Sequence, residues 1–418
     1  MDRKKKKQQS IRSAANIEQQ RKALKERFLD RTRKIIVLIG GEELLEILHD
    51  VYLENLYELR YPGLKAKVAE GSDIDKVTVL KFNKLLQQQM EGMELTLPNG
   101  NKIPFTWYLS EGITLTDSLG ELETNGDPEF EKIKEHFSFC SDSGLFHRDL
   151  QETLIYLVTD TCTLLSDFND HIYRADLTMT PYFAKFNPQN DIMIHSFKPK
   201  KEKIDTNKGI RTAMRLGWPS PEFNWEHHNV KPSLLGFKTT GLDVPLELYI
   251  STHTLDRLQE RINIVPGIMH QILLLTFMDR KISHRWNGEV SHVDFLVAGL
   301  KVGYLVVRLH GSKLVVHTFL FLTNNDTLEG EKLGRLLSVV KEDKKYLEID
   351  TLPAFNSYHI DQNEKLSKLF NDAGCGSLLK LGHMKEFTVN QIADKDPESI
   401  LQYLVDAPYF RKDVVQLD

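Results

Sequence analysis

Groups able to move protons or hold phosphate are densest between His253 and Leu322. In residues 252–264 (THTLDRLQERINI), helical spacing puts His253, Arg257, Glu260, Arg261 and Ile264 within one arc of about 100°. Leu255, Leu258 and Ile262 fall on the opposite side, within about 60°. The spacing predicts an amphipathic helix, capped by Ser251 or Thr252, with one apolar rail for a sheet. Its other rail carries an imidazole, two guanidiniums and a carboxylate, with Asp256 beside it. An Arg257–Glu260 pair is equally an ordinary surface contact, worth roughly a few tenths of a kcal/mol.

Residues 302–322 read VGYLVVRLHGSKLVVHTFLFL, two apolar runs about Gly311-Ser312, which suits a two-residue hairpin turn. That turn pairs His310 with Lys313, Arg308 with Val315, Val306 with His317 and Tyr304 with Phe319. Alternation then gathers Tyr304, Arg308, His310, Lys313 and His317 on one face. Leu305, Val307, Leu309, Leu314, Val316 and Leu320 line the other, which suits the apolar rail of the helix. A phenol, two cations and two imidazoles on one face could cleave RNA. A base takes the 2′-hydroxyl proton, cations hold the phosphorane charge, and an acid protonates the leaving 5′-oxygen. Histidine titrates in the useful range, and arginine grips phosphate with two donors. The same residues also suit the water-facing side of a half-buried antiparallel sheet.

Other constellations are weaker. His227-His228, with Trp225 and Glu226, resembles a metal pair, yet adjacent histidines rarely aim at one ion and no third ligand stands at a useful spacing. His147-Arg148-Asp149 has the letters of a kinase catalytic loop without the glycine-rich loop or Asp-Phe-Gly. Gly40-Gly41 lacks the Gly-Lys-Ser/Thr ending of a phosphate loop, and dinucleotide signatures are absent, so no cofactor is expected. Asp279-Arg280, His284-Arg285 and Trp286 could stack on a base or form a plain connection. Three widely spaced cysteines, Cys140, Cys162 and Cys375, read as reduced thiols, and Cys375 has no polar sequence partner that marks a nucleophile.

The elements that must position these groups set the fold class as α+β. It comprises a mostly helical N-terminal region with a β-hairpin, then a small antiparallel-sheet domain with a packed amphipathic helix. The 418 residues, 41% hydrophobic and 27% charged, suit two or three domains. Residues 1–34 form a basic helical arm with thirteen Lys and Arg against four acidic residues. Its net +9 leaves −14 for the rest, because the whole chain carries −5. Such an arm attracts nucleic acid or is a solvated terminal helix. Residues 35–180 are mainly helical, with a hairpin near 93–109 turning at Asn99-Gly100. Residues 181–245, rich in Pro, Asn, Lys and aromatics, read as an irregular linker or loop-rich region, with the best domain cut at 235–245. The sheet domain spans 246–325, and 326–418 is a helical cap or docking module. No run reaches the roughly 18–20 apolar residues that cross a bilayer, and the basic start has no apolar stretch behind it. A cytoplasmic protein with no membrane partner is expected.

The order of elements from Leu248 to Leu322 resembles RelE-like toxins of the barnase–EndoU–colicin–RelE ribonuclease superfamily. A His-x-x-x-Arg-x-x-Glu-Arg helix precedes strands ending in a Val-Val-rich hairpin. RelE-like toxins are usually small and free-standing, whereas this segment follows a long helical region, and their active residues vary between branches. The resemblance implies metal-independent RNA cleavage, with RNA and an antitoxin-like protein as partners. It implies no role for each residue; the hypothesis set beside it has His253, His310 or His317 exchanging protons, Glu260 orienting one of them, and Arg257, Arg261, Arg308, Lys313 and Tyr304 meeting substrate. Three readings stand: a ribonuclease, a non-catalytic protein- or nucleic-acid-binding module of a mobile element, and a structural protein with no site on this face. Oligomeric state is not readable from the sequence.

Overall fold

A computed structural model describes residues 2–120, 122–138, 145–179, 190–206, 209–238, 242–389 and 392–411. Cys140 and the side chains of the first fifteen residues of the basic arm lie outside that description. The fold is α+β, built as two compact units: residues 1–162 with 174–196, and 163–173 with 197–418.

In the first unit, one helix runs from Asp2 to Gly40, and among its described side chains burial begins at Phe28 and continues through Ile35, Ile36 and Ile39. The expected hairpin forms as Glu94–Thr96 with Lys102–Pro104, turning where Gly100 takes a φ of +85°. It is shorter than expected, because helical structure resumes at Phe105 after Pro104. A π-helical turn, Tyr108–Gly112, then buries Glu111, whose carboxylate lies 3.6 Å from Arg31. Burial raises the Glu111 pKa.

The second unit is organised around one large sheet. Its strands are β1 (Lys201–Thr206), β2 (Gly209–Arg215), β3 (Leu246–Ser251), β4 (His284–Trp286), β5 (Ser291–Val297), β6 (Leu300–His310) and β7 (Lys313–Phe321). Spatial order is β4-β5-β6-β7-β3-β2-β1, with Asn229–Val230 added beside β3. Neighbours are antiparallel except β3 and β7, which are parallel.

Two expectations fail here. Residues 181–245 are not a linker or loop-rich throughout, since β1 and β2 fall within them, β1 pairing with β2 and β2 with β3. Their alternation is short and interrupted by polar turns, so composition hid it. For the same reason the chain divides near 163–197 rather than at 235–245.

Between β3 and β4 come helices α1 (Thr252–Ile262) and α2 (Pro266–Met278). Ser251 Oγ caps α1 by accepting from Thr254 N at 3.1 Å, and Asn263 ends the helix in a left-handed conformation. Leu258 and Ile262, both 0% exposed, pack with Leu248, Ile250, Leu314 and Val316 in the main core, as the apolar rail requires. After β7 come α3 (Leu328–Leu337) and α4 (Lys341–Tyr346). Leu333, Phe355 and Phe370 of the C-terminal segment join the same core. The opposite sheet face has a small cluster of Ile204, Ala213, Tyr249 and Val315.

The β6–β7 hairpin turns at Gly311, with φ +58°, and pairs His310 with Lys313 and Arg308 with Val315. Beyond Val316 the register differs from expectation: Val306 pairs with Thr318 and Tyr304 with Leu320, leaving His317 as an extra residue in a bulge. The start of α1 sits at that point. Ser251 Oγ donates to His317 O at 3.0 Å and Thr254 Oγ1 to Val316 O at 2.9 Å.

Candidate active site

The residues singled out in the sequence lie in three separate places. Arg308 stands opposite Val315, so it lies on the sheet face turned away from α1. It is paired there with Glu289. Lys313 is paired with Glu202 and lies over the Tyr249 ring, 4.8 Å from its centroid. Glu202 also holds Lys200 at 2.7 Å, and the two lysines draw its pKa down to about 2. Both expected phosphate ligands of the hairpin are thus already matched by carboxylates.

His310 and His317 do meet, with ring centroids 4.7 Å apart and their Nε2 atoms hydrogen-bonded to each other. Burial, then the Arg308 charge, lowers the His310 pKa. A base and an acid for RNA cleavage need the phosphate between them, whereas these imidazoles occupy each other. Tyr304 is a third case. It is 4% exposed, and its hydroxyl donates to Glu329 at 2.9 Å and accepts from Lys301 at 3.0 Å.

The α1 residues build something different. β3 ends at Ser251, and its last partner on β7 is Ile250 opposite Val316. From Thr318 onward, no strand covers that edge of β7 among the described residues. A cavity of about 440 Å³ occurs there, within the usual range for ligand sites. His253, Arg257 and Arg261 of α1 line it, with Thr318, Phe319 and Leu320 of β7. Asn324, Asn325 and Asp326 of the following turn, then Lys341, Lys344 and Asp350, complete the lining. None of the hairpin residues Tyr304, Arg308, His310, Lys313 or His317 lines it.

Within the cavity the guanidiniums are held in place. Glu260 bridges them, at 2.6 Å from Arg257 and 3.3 Å from Arg261. Arg261 also donates to the Asp350 carbonyl at 3.0 Å and pairs with its carboxylate. Glu260 therefore orients arginines, where an imidazole had been expected. Lys344 is the residue that sequence reasoning missed: it is 2% exposed, without a paired carboxylate among the described residues. Its ammonium donates to Thr323 O at 3.0 Å, Asn325 Oδ1 at 2.5 Å and Gly330 O at 2.6 Å. Burial lowers its pKa to about 8. Nothing in KEDKKY, residues 341–346, separates this lysine from its solvated neighbours.

Among the described residues no group of three His, Cys, Asp or Glu side chains could hold a metal ion. His227 accepts from Trp225 at 3.2 Å while His228 bonds Phe277 O at 2.8 Å, so the adjacent histidines turn to different partners. Cys162 and Cys375 are buried, and burial pushes both thiols up to about 12. No described helix is long and apolar enough to cross a membrane.

Fold and cavity define a two-unit α+β protein whose second unit holds a cation-lined pocket at an open strand edge. No protein-family model, curated protein or solved structure matches the chain.

Proposed function

We propose that the second unit cleaves RNA in the α1 cavity, and not on the outer face of the hairpin. The observation that carries this reading is the convergence of His253, Arg257 and Arg261 with Thr318 on one cavity. In this scheme His253 takes the 2′-hydroxyl proton, the 2′-oxygen bonds to phosphorus, and the bond to the 5′-oxygen breaks. The 5′-oxygen takes a proton from water, which leaves a 2′,3′-cyclic phosphate and a 5′-hydroxyl. Arg257 and Arg261, kept extended by Glu260 and Asp350, hold the negative charge that gathers on the phosphorane. This keeps the chemistry implied by the likeness to RelE-like ribonucleases and moves it to one side of the sheet.

A second reading uses the same cavity. The carboxylates beside Arg257 and Arg261 blunt their positive charge, which favours a pocket that binds a phosphorylated ligand without breaking it.

Labelled single-stranded RNA, incubated in excess chelator with the wild type and single variants, tests both readings. Cleavage by the wild type should fall by about a hundredfold or more in His253→Ala, the usual contribution of a general base. Arg257→Ala should also lose activity, while Arg308→Ala should cleave like the wild type. Loss of activity in Arg308→Ala alone would return the site to the hairpin face. RNA bound but intact in every lane would select the second reading.

A further inference from the structure

The open edge of β7 carries an arrangement of main-chain groups that the cleavage scheme does not use. Leu322 N donates to Val302 O at 2.9 Å. In an antiparallel pair these bonds fall on alternate residues, so Leu320 and Thr318 also turn their main-chain groups toward β6. Phe319 and Phe321 turn theirs the other way. Phe321 O is taken by Asn324 N at 2.9 Å. Phe319 has no strand on its outer side among the described residues, and its side chain is in the core, 2% exposed against Phe295. Its share of the cavity lining is therefore its N–H and C=O, a donor and an acceptor side by side.

Two amides stand beyond that edge. Asn325 has its Oδ1 held by Lys344, which leaves Nδ2 to donate. Asn324, half-buried, has no hydrogen bond to its side-chain amide among the described residues. Neutral donors and acceptors of this kind do little for a phosphate beside two guanidiniums. They match the edge of a nucleobase, which presents a donor next to an acceptor.

We infer that the Phe319 main chain and the Asn324 and Asn325 amides read the Watson–Crick edge of one nucleobase next to the phosphate held by Arg257 and Arg261, with Lys344 as the positioning residue for Asn325. The inference rests on the cavity being the RNA site, and it makes that site base-selective. The turn that Lys344 fixes, from Thr323 to Gly330, is then a specificity element supplied from outside the helix-and-hairpin segment.

The test is calorimetric binding of the four ribonucleoside 5′-monophosphates and of ribose 5-phosphate, which has the phosphate and no base, to the full chain. At least one nucleotide should bind about tenfold or more tighter than ribose 5-phosphate, the scale of one good base-edge contact. Asn324→Ala should bring that nucleotide down to the ribose 5-phosphate level. Asn325→Asp keeps the oxygen that Lys344 holds and replaces the Nδ2 donor with a charged acceptor; the added charge weakens all five phosphate ligands, so the readout is the ratio of nucleotide to ribose 5-phosphate affinity, which should fall to about one. Lys344→Met, which frees the Asn325 amide to turn, should weaken the preference. Equal binding of all five ligands, no binding by any of them, or an undiminished preference in Asn324→Ala and Asn325→Asp would each overturn the inference. Base preference in a protein that leaves RNA intact would sink the cleavage scheme and keep the base-reading edge.

Discussion

Replacing Lys344 with methionine gives a stability effect whose pH dependence follows from its surroundings. The lysine is 2% exposed, and burial lowers its pKa from 10.5 to about 8. One pKa unit is about 1.4 kcal/mol, so keeping the ammonium charged in the fold costs on the order of 3 kcal/mol. The unfolded chain holds this proton up to about pH 10.5, whereas the folded chain releases it near 8. Between those values unfolding takes up a proton, and stability therefore gains as pH rises. The penalty is complete below pH 8 and relieved above 10.5. Methionine abolishes this titration and leaves the oxygens of Thr323, Asn325 and Gly330 without their donor. At neutral pH the lost donors and the relieved charge oppose each other. On the way to pH 10 only the wild type gains, at up to about 1.4 kcal/mol per pH unit. Urea unfolding should be followed by tryptophan fluorescence, because Trp218, Trp225 and Trp286 all belong to the second unit. The stability of the wild type minus that of the variant should rise from pH 8 to 10. A difference that stays constant or falls would refute the account of Lys344 as a buried and strained ammonium.

Two further outcomes follow from the fold. Leu258→Ala, at a 0% exposed position on the apolar rail of α1, should destabilise the second unit by about 2–5 kcal/mol. A denaturation midpoint like that of the wild type would mean that the helix does not dock on the sheet. Glu202, held near pKa 2 by Lys200 and Lys313, contributes stability that is present above about pH 4.5 and lost as pH falls toward 2. Acid titration of Glu202→Gln should show a shallower loss through that range, and an unchanged acid limb would remove the ion pairs from the account.

Much of α1 is legible in the sequence, because helical spacing separates Leu258 and Ile262 from Arg257 and Arg261 without reference to the rest of the chain. The turn at Gly311 is legible for a similar local reason. The register beyond Val316 is not. Period-two alternation carries no sign of an extra residue, and His317 becomes one where the start of α1 takes carbonyls from β7. The site itself is legible only in half. His253, Arg257 and Arg261 share a helix face, but Thr318, Asn324 and Lys344 join them through packing between segments 60 to 90 residues apart, where no spacing rule reaches. Grouping Arg308 and Lys313 with the polar residues of α1 fails because the helix packs on the Leu314 and Val316 face, so the sheet itself separates the two sets.

The parallel pairing of β3 with β7 also bears on how the second unit is assembled. β4 to β7 follow one another as neighbours in chain and in space, and β1 pairs with β2 in the same local way. The two groups meet where Glu247 pairs with Lys313, across a long intervening segment. Closing a loop of that length costs about 4 kcal/mol of chain entropy by the logarithmic rule, and the gain comes only once the sheet is joined. Contact order alone favours a meander and a hairpin that form before the seam between them closes. Until it does, β7 is an apolar strand with a bare edge, and the folding chain is most exposed to association with its own copies at the strand that later borders the cavity.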